Sequence, residues 1–169
     1  LRTAGYYMML YSGSELEDIF HMALAWNVDG LIVITFRYQE YMKLKVLTNK
    51  PIVAIDLIDK ESGDYFNVGL QDENGGYMMT KYLLECGYQD IFVCSRKNVG
   101  VDHDRWNGFR KAWAESGRAL KENDFISLYD TENERNKNYN RMLKFINRNI
   151  ALFFLSDMFA VEAMHYFQS

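Results

Sequence analysis

Short apolar runs alternate along the chain with stretches in which apolar residues recur every three or four positions. Continuous runs of four to eight apolar residues bounded by turn signals predict strands, and the three-to-four spacing predicts amphipathic helices. Residues 6–11 predict a buried strand. Ser14, with Glu17 three positions on, has the form of a capping box. It opens a helix with one apolar face made by Leu16, Ile19, Phe20, Ala23 and Leu24. Asp29-Gly30 breaks that helix, and the β-branched run 31–36 predicts a strand covered on both faces. Residues 38–48 predict a helix, and 52–55 a strand that ends at Asp56. Residues 59–65 are polar and read as a loop, followed by an extended piece at 68–70.

The same alternation continues. Asn74 is placed to cap a helix carrying Met78, Met79, Tyr82, Leu83 and Cys86, with Gly87 at its C′ position. Residues 91–94 predict a strand, and 104–116 a helix followed by Gly117. A strand at 125–129 precedes a helix marked by Tyr139, Met142, Leu143 and Ile146. The last strand, 151–155, precedes a helix marked by Ala160, Ala163, Met164 and Phe167. Strand–helix alternation of this kind implies an α/β fold with parallel sheets flanked by helices. The polar stretch at 59–65 divides it into two lobes, 1–65 and 66–169.

Composition changes this picture little but excludes several classes. Of the 169 residues 49% are apolar and 25% charged, which suits a globular chain with a core. Lys plus Arg is 19 and Asp plus Glu is 23, a net charge of −4. A nucleic-acid binder carries a basic excess, because phosphate neutralisation drives its affinity. Any DNA contact therefore belongs outside this chain. Cys86 and Cys94 form no CxxC pair and read as reduced thiols of a cytoplasmic protein. No apolar run approaches bilayer length. The chain starts at Leu1 and runs at once into strand-like sequence, as a fragment would.

Open α/β sheets bind ligands beyond the carboxyl ends of their strands. The residues there are Ser12, Thr35, Phe36, Asp56, Ser95, Tyr129 and Asp157. This polar and aromatic set suits hydrogen bonding and ring stacking with a small polar ligand. Enzyme signatures are lacking: there is no GxGxxG, GxxxxGK[ST], GxSxG or HExxH. His21 and His165 read as surface or packing residues. His103, between Asp102 and Asp104, reads as a solvated loop residue rather than a ligand contact, and the three form no metal-binding spacing. Arg105, at a predicted helix start, either donates a guanidinium fork to a ligand or pairs with Asp102 or Asp104. Asp56 and Asp157 either accept from ligand hydroxyls or cap local backbone. The aromatic stripes 77–82 and 106–113 read as core.

Six segments in order carry a resemblance. They are Asn27-Val-Asp-Gly-Leu-Ile-Val33, Pro51-Ile-Val-Ala-Ile-Asp56, Val68-Gly-Leu-Gln-Asp-Glu-Asn-Gly-Gly76, Leu83-Leu-Glu-Cys-Gly-Tyr-Gln-Asp-Ile91, Arg105-Trp-Asn-Gly-Phe109 and Phe154-Leu-Ser-Asp-Met-Phe-Ala160. Together they resemble the effector-binding domain of LacI/GalR-family transcription regulators, from about residue 5 to 167. The resemblance implies a periplasmic-binding-protein-like type I fold of two doubly wound parallel-sheet lobes, the first one partial. It implies a small effector, often a sugar, clamped between the lobes, no cofactor and no catalysis. Arg105 matches the arginine that contacts effector, Asp56 the aspartate after the P-x-V-x-[IL]-D strand, and Asp157 the aspartate of [NS]-D-x-x-A. Leu70 falls at a pocket wall, and Tyr129 is a candidate stacking ring. Dimerisation is implied, with Val161 and Met164 on the last helix as a candidate face.

Measured against that family, the chain is truncated at both ends. The helix-turn-helix that would contact DNA and the first strand and helix of the first lobe would precede it. The alternative within the same fold is a solute-binding protein of a sugar transport system. An α/β enzyme acting on sugar phosphates is the alternative from another class.

Overall fold

The computed structural model describes residues 2–13, 15–58, 61–96, 100–128, 131–145 and 148–168. The chain divides into two compact units, Leu1–Gly69 and Leu70–Ser169. Both are α/β with parallel strands throughout, as the alternation implied.

In the first unit a three-stranded sheet runs in the order β1 (Leu31–Ile34), β2 (Ile52–Ile55), β3 (Phe66–Val68). Helices α1 (Leu16–Ala25) and α2 (Tyr38–Leu47) contribute to one core with Phe20, Val33, Tyr41, Leu44, Ile52, Ala54 and Leu57. Arg37 starts α2: its N–H donates to Glu40 Oε2 at 2.8 Å, which satisfies one of the orphan donors of the helix start. Tyr41 is buried, and its hydroxyl donates to the Ile52 carbonyl at 3.1 Å, tying helix to strand.

Three expectations fail here. Residues 6–11 are not a buried strand. All six are exposed, Tyr7 by 91%, and they join neither sheet. A strand is stable only beside another, and no described strand runs along them. The β1 strand is covered on one face, not two: Val33 is buried while Ile32 and Ile34 are exposed. Residues 66–69, read from the sequence as part of the second lobe, belong with the first unit, because β3 pairs with β2. The capping serine, Ser14, lies outside the described residues.

The second unit holds α3 (Asp72–Glu85), β4 (Asp90–Ser95), α4 (Val101–Glu115), β5 (Phe125–Ser127), α5 (Glu132–Leu143), β6 (Ile150–Phe154) and α6 (Asp157–Gln168). Its sheet has β4 between β5 and β6. Ile91 and Val93 pack with Phe109 and Trp113 of α4. The alternate residue Cys94 packs with Tyr139 and Met142 of α5 and Phe159 and Ala163 of α6. The sheet is therefore covered on both faces.

Both glycines expected to end helices do so. After α3 the Gly87 N–H donates to Leu84 and the Tyr88 N–H to Leu83. After α4 the Gly117 N–H donates to Ala114 and the Arg118 N–H to Trp113. Both glycines have positive φ, +88° and +75°, which is the Schellman closure. Two details of α3 differ from expectation. Asn74 lies inside the helix, not at its cap. Met78, Met79, Tyr82 and Cys86 are exposed, while Asp72, Gly76 and Thr80 are buried. The inward face of α3 is its small and polar one, because α3 packs against another helix at backbone contact.

Candidate functional site

The closest approach in the second unit is between α3 and α4, and two mid-helix glycines permit it. A Cβ on Gly108 would lie 1.9 Å from the Glu73 carbonyl oxygen. A Cβ on Gly76 would lie 2.0 Å from the Arg105 carbonyl oxygen. Glycine inside a helix costs about 1 kcal/mol relative to alanine, so a close approach is the usual reason to find one there. Thr80, one turn on, is fully buried and donates its hydroxyl to the Gly76 carbonyl at 2.7 Å. The two glycines let α3 and α4 meet at backbone contact, and that crossing decides what α4 presents.

It presents Arg105. The structure starts α4 at Val101, so Arg105 sits in the second turn rather than at the helix start. Its Nε donates to Asp72 Oδ1 at 2.8 Å, and Nη2 lies 2.8 Å from the same oxygen. Nη1 donates to the carbonyl of Leu155, directly after β6. Arg105 therefore ties α3, α4 and the end of β6 together. Asp72, the first residue of α3, is only 7% exposed at its side chain, against 28% for Arg105. The partner anticipated from sequence, Asp102 or Asp104, is not the one used. Asp102 instead accepts from the buried hydroxyl of Ser95 at the end of β4. Nε and Nη1 each donate one N–H in this way, and Nη2 lies at ion-pair distance from Asp72, which leaves N–H groups on both terminal nitrogens without a hydrogen-bond partner among the described residues.

The other expected site residues are placed as follows. Asp157 is the first residue of α6, two positions beyond the Leu155 carbonyl that Arg105 holds. It is exposed, and its Oδ1 accepts the Met158 N–H at 2.8 Å, a local bond at a helix start. Leu70 is 73% exposed and, with Gln71, Asn74, Tyr77 and Asp104, borders a groove along α3 and α4. Tyr129 lies outside the described residues.

Asp56 belongs to the first unit, directly after β2. It has φ +52°, and Thr35 directly after β1 has φ +62°. For a β-branched residue such a φ is an outlier, and strained backbone concentrates at functional sites. The ladder continues through both residues: Thr35 N–H donates to Ile55 and Asp56 N–H to Val68, each at 3.0 Å.

Asp72, the partner that Arg105 takes, is the residue that the sequence reading passed over. Its signal was indirect: Gly76 and Gly108, each inside a helical pattern, announce two helices in backbone contact. Residues one turn before the crossing must then face each other.

Comparison with known proteins shows the family and the fold. Residues 6–149 match the family described as periplasmic binding proteins and sugar binding domain of LacI family. An HTH-type transcriptional repressor PurR of Haemophilus influenzae is 28% identical over 154 residues, 89% of this chain and 45% of the relative. The chain thus spans about half the length of the curated relatives it matches. Among solved structures, a transcriptional regulator CelR–cellobiose complex superposes with a TM-score of 0.75 at 19% identity, over 93% of this chain and 49% of the other. A PurR family transcriptional regulator from Vibrio parahaemolyticus gives 0.73 at 19% identity, over 99% and 65%. At such identity the likeness is one of fold.

Proposed function

This chain belongs to the family of periplasmic binding proteins and LacI-family sugar-binding domains, and from that premise we propose that it is the effector-sensing part of a transcription regulator. The observation that carries the reading is Arg105. It is anchored to Asp72 and to the end of β6, and two of its N–H groups have no described partner. A pre-positioned guanidinium loses little entropy on donating to a ligand. The effector is a small polar molecule, in our reading a sugar: the family description names sugar binding, and one fold neighbour is a cellobiose complex. Asp157, Leu70, Tyr129 and, in the first unit, Asp56 are the further proposed contacts.

The sensor reading is favoured over a transport protein because the curated relatives are named transcriptional repressors. DNA binding would then require a helix-turn-helix outside this chain, consistent with its net charge of −4. A homodimer is proposed through the outer face of α6. Met158, Val161 and Met164 recur there at three-residue spacing and are each more than half exposed.

The experiment is a thermal-shift screen of the chain against neutral sugars, sugar phosphates, nucleobases and amino acids, with Arg105→Ala alongside. A ligand at a hundred times its Kd stabilises by about 2.7 kcal/mol, an unmistakable shift. One hit that Arg105→Ala loses, with the fold retained, supports the reading. A hit that Arg105→Ala keeps unchanged removes Arg105 from the site.

A further inference from the structure

We propose that Asp72 sets the charge class of the effector, restricting the site to uncharged ligands. The inference rests on the sensor reading and deepens it. An arginine at the end of a parallel strand ordinarily makes a good anion site, since its fork matches phosphate and carboxylate bidentately. Here that fork is already filled. Asp72 Oδ1 takes Nε and Nη2, each at 2.8 Å, in the position a ligand carboxylate or phosphate oxygen would occupy. The residue is 9% exposed, so the pair sits where its mutual attraction is poorly screened. The crossing of α3 and α4 at Gly76 and Gly108 fixes the two helices at backbone contact, so the aspartate cannot readily swing aside for a competing anion.

The surroundings point the same way. The first turns of α3, α4 and α6 carry Asp72 and Glu73, Asp102 and Asp104, and Asp157. Against these five carboxylates, the described cations at the ends of β4 and β6 and on α4's first two turns are Arg96 and Arg105. What Arg105 retains is direction without net charge: two N–H donors on a neutralised fork. Neutral hydroxyl and carbonyl oxygens can use those donors. An anionic oxygen would gain the same bonds but meet the Asp72 carboxylate behind them.

The test compares matched probes by calorimetry on this chain: glucose, ribose and cellobiose against glucose 6-phosphate, ribose 5-phosphate and glucuronate, with inorganic phosphate as a ligand-independent probe. The variants are Asp72→Asn and the double variant Asp72→Asn/Arg105→Gln. In the native chain a neutral sugar binds and its anionic counterpart is weaker by about tenfold or more, the effect of bringing a like charge up to the Asp72 carboxylate. In Asp72→Asn the freed guanidinium gains affinity for inorganic phosphate and for the anionic sugars by a similar factor, and the double variant loses that gain.

A native chain that binds a phosphorylated sugar as tightly as its neutral parent overturns the inference and leaves the sensor reading standing. If no sugar binds, inorganic phosphate decides. A gain in Asp72→Asn that the double variant abolishes supports the masking of Arg105, and no gain overturns it. Should Asp72→Asn fail to fold, the neutral-to-anionic ratio of the native chain still decides for any sugar that binds. If no sugar binds either, inorganic phosphate on the native chain decides: binding overturns the masking and its absence supports it.

Discussion

The strands β1 and β4 read alike in sequence, yet they meet different surroundings. Around β4, alternate residues are buried on both faces, Val93 under α4 and Cys94 under α5 and α6. In the first unit only one face is covered. On the other, register places Ile32 beside Val53 and Phe66, and Ile34 beside Ile55 and Val68. These form two rows of apolar side chains, with Ile32, Ile34, Phe66 and Val68 all more than half exposed. The difference is one of supply. Among the described residues the second unit sets four α-helices against three strands, and the first sets two against three. A β-branched run establishes that a strand forms, while the number of elements available decides whether both its faces find cover.

The strongest way to break this contrast is to open the second unit. Gly108→Ala puts a methyl 1.9 Å from a backbone carbonyl that cannot yield alone, so α3 and α4 must separate. We expect a loss of about 3 kcal/mol or more, at the severe end for single substitutions. The Arg105–Asp72 pair should loosen with it. Gly75→Ala is the control. Nothing lies within 4 Å of its Cβ, so helix propensity alone should stabilise by up to about 1 kcal/mol. Urea melts of the two variants, each with one glycine replaced by alanine, should move in opposite directions. Equal and small effects would mean that the helices do not touch in solution.

A second pair of substitutions probes the sheets directly. Val93→Thr keeps shape but buries a hydroxyl, and should cost about 2 kcal/mol. Ile32→Thr makes a larger chemical change on the open face and should stay within about 0.5 kcal/mol. An Ile32→Thr cost as large as that of Val93→Thr would show that the open face is covered in solution. Sedimentation of the same samples would then show whether a second copy covers it.

Much of the second unit was legible in the sequence because its local signals and its packing agree. Gly87 and Gly117 fall at helix ends, and the β4 run is covered on both faces. The first unit was less legible for the same reason. Residues 6–11 have strand composition, but a strand's hydrogen bonds belong to its neighbour, and no spacing rule announces which segment, if any, pairs with it. Arg105 was singled out through its motif as a candidate contact, and the ion-pair alternative named Asp102 or Asp104, whereas its partner is Asp72. Those residues are near in sequence, but Asp72 is near in space, and only the Gly76–Gly108 crossing brings it there. Asp72 sits a full helix and strand away from Arg105 along the chain, beyond the reach of local pattern.

A smaller effect is expected at the heart of the well-covered unit. Tyr139 is fully buried, and its hydroxyl makes no hydrogen bond of good geometry among the described residues, although the Glu162 carboxylate is near enough to act on it. Burial pushes its pKa up to about 12. Tyr139→Phe removes an unsatisfied polar group at nearly constant volume, and should leave stability unchanged or raise it by about 1 kcal/mol. A loss of comparable size would reveal a bond that the hydroxyl makes in solution.

The smallest effect is silent at neutral pH. Both cysteines lie in the second unit, Cys86 on its surface and Cys94 in its core. Burial alone drives the Cys94 thiol well above its ordinary value of 9.0. The folded chain therefore keeps that proton at a pH where the unfolded chain has released it. More protons are bound in the native state, so stability falls as pH rises past about 9, by at most about 1.4 kcal/mol per pH unit for this one group. Tyr139 adds to the slope above its own ordinary value of 10.0. Cys94→Ala should flatten the alkaline slope, whatever it does to stability at pH 7. Thiol labelling of the native chain should modify Cys86 quickly and Cys94 only at the rate of unfolding. Rapid labelling of both would mean that the second unit opens locally and that its two-sided cover is looser than its packing implies.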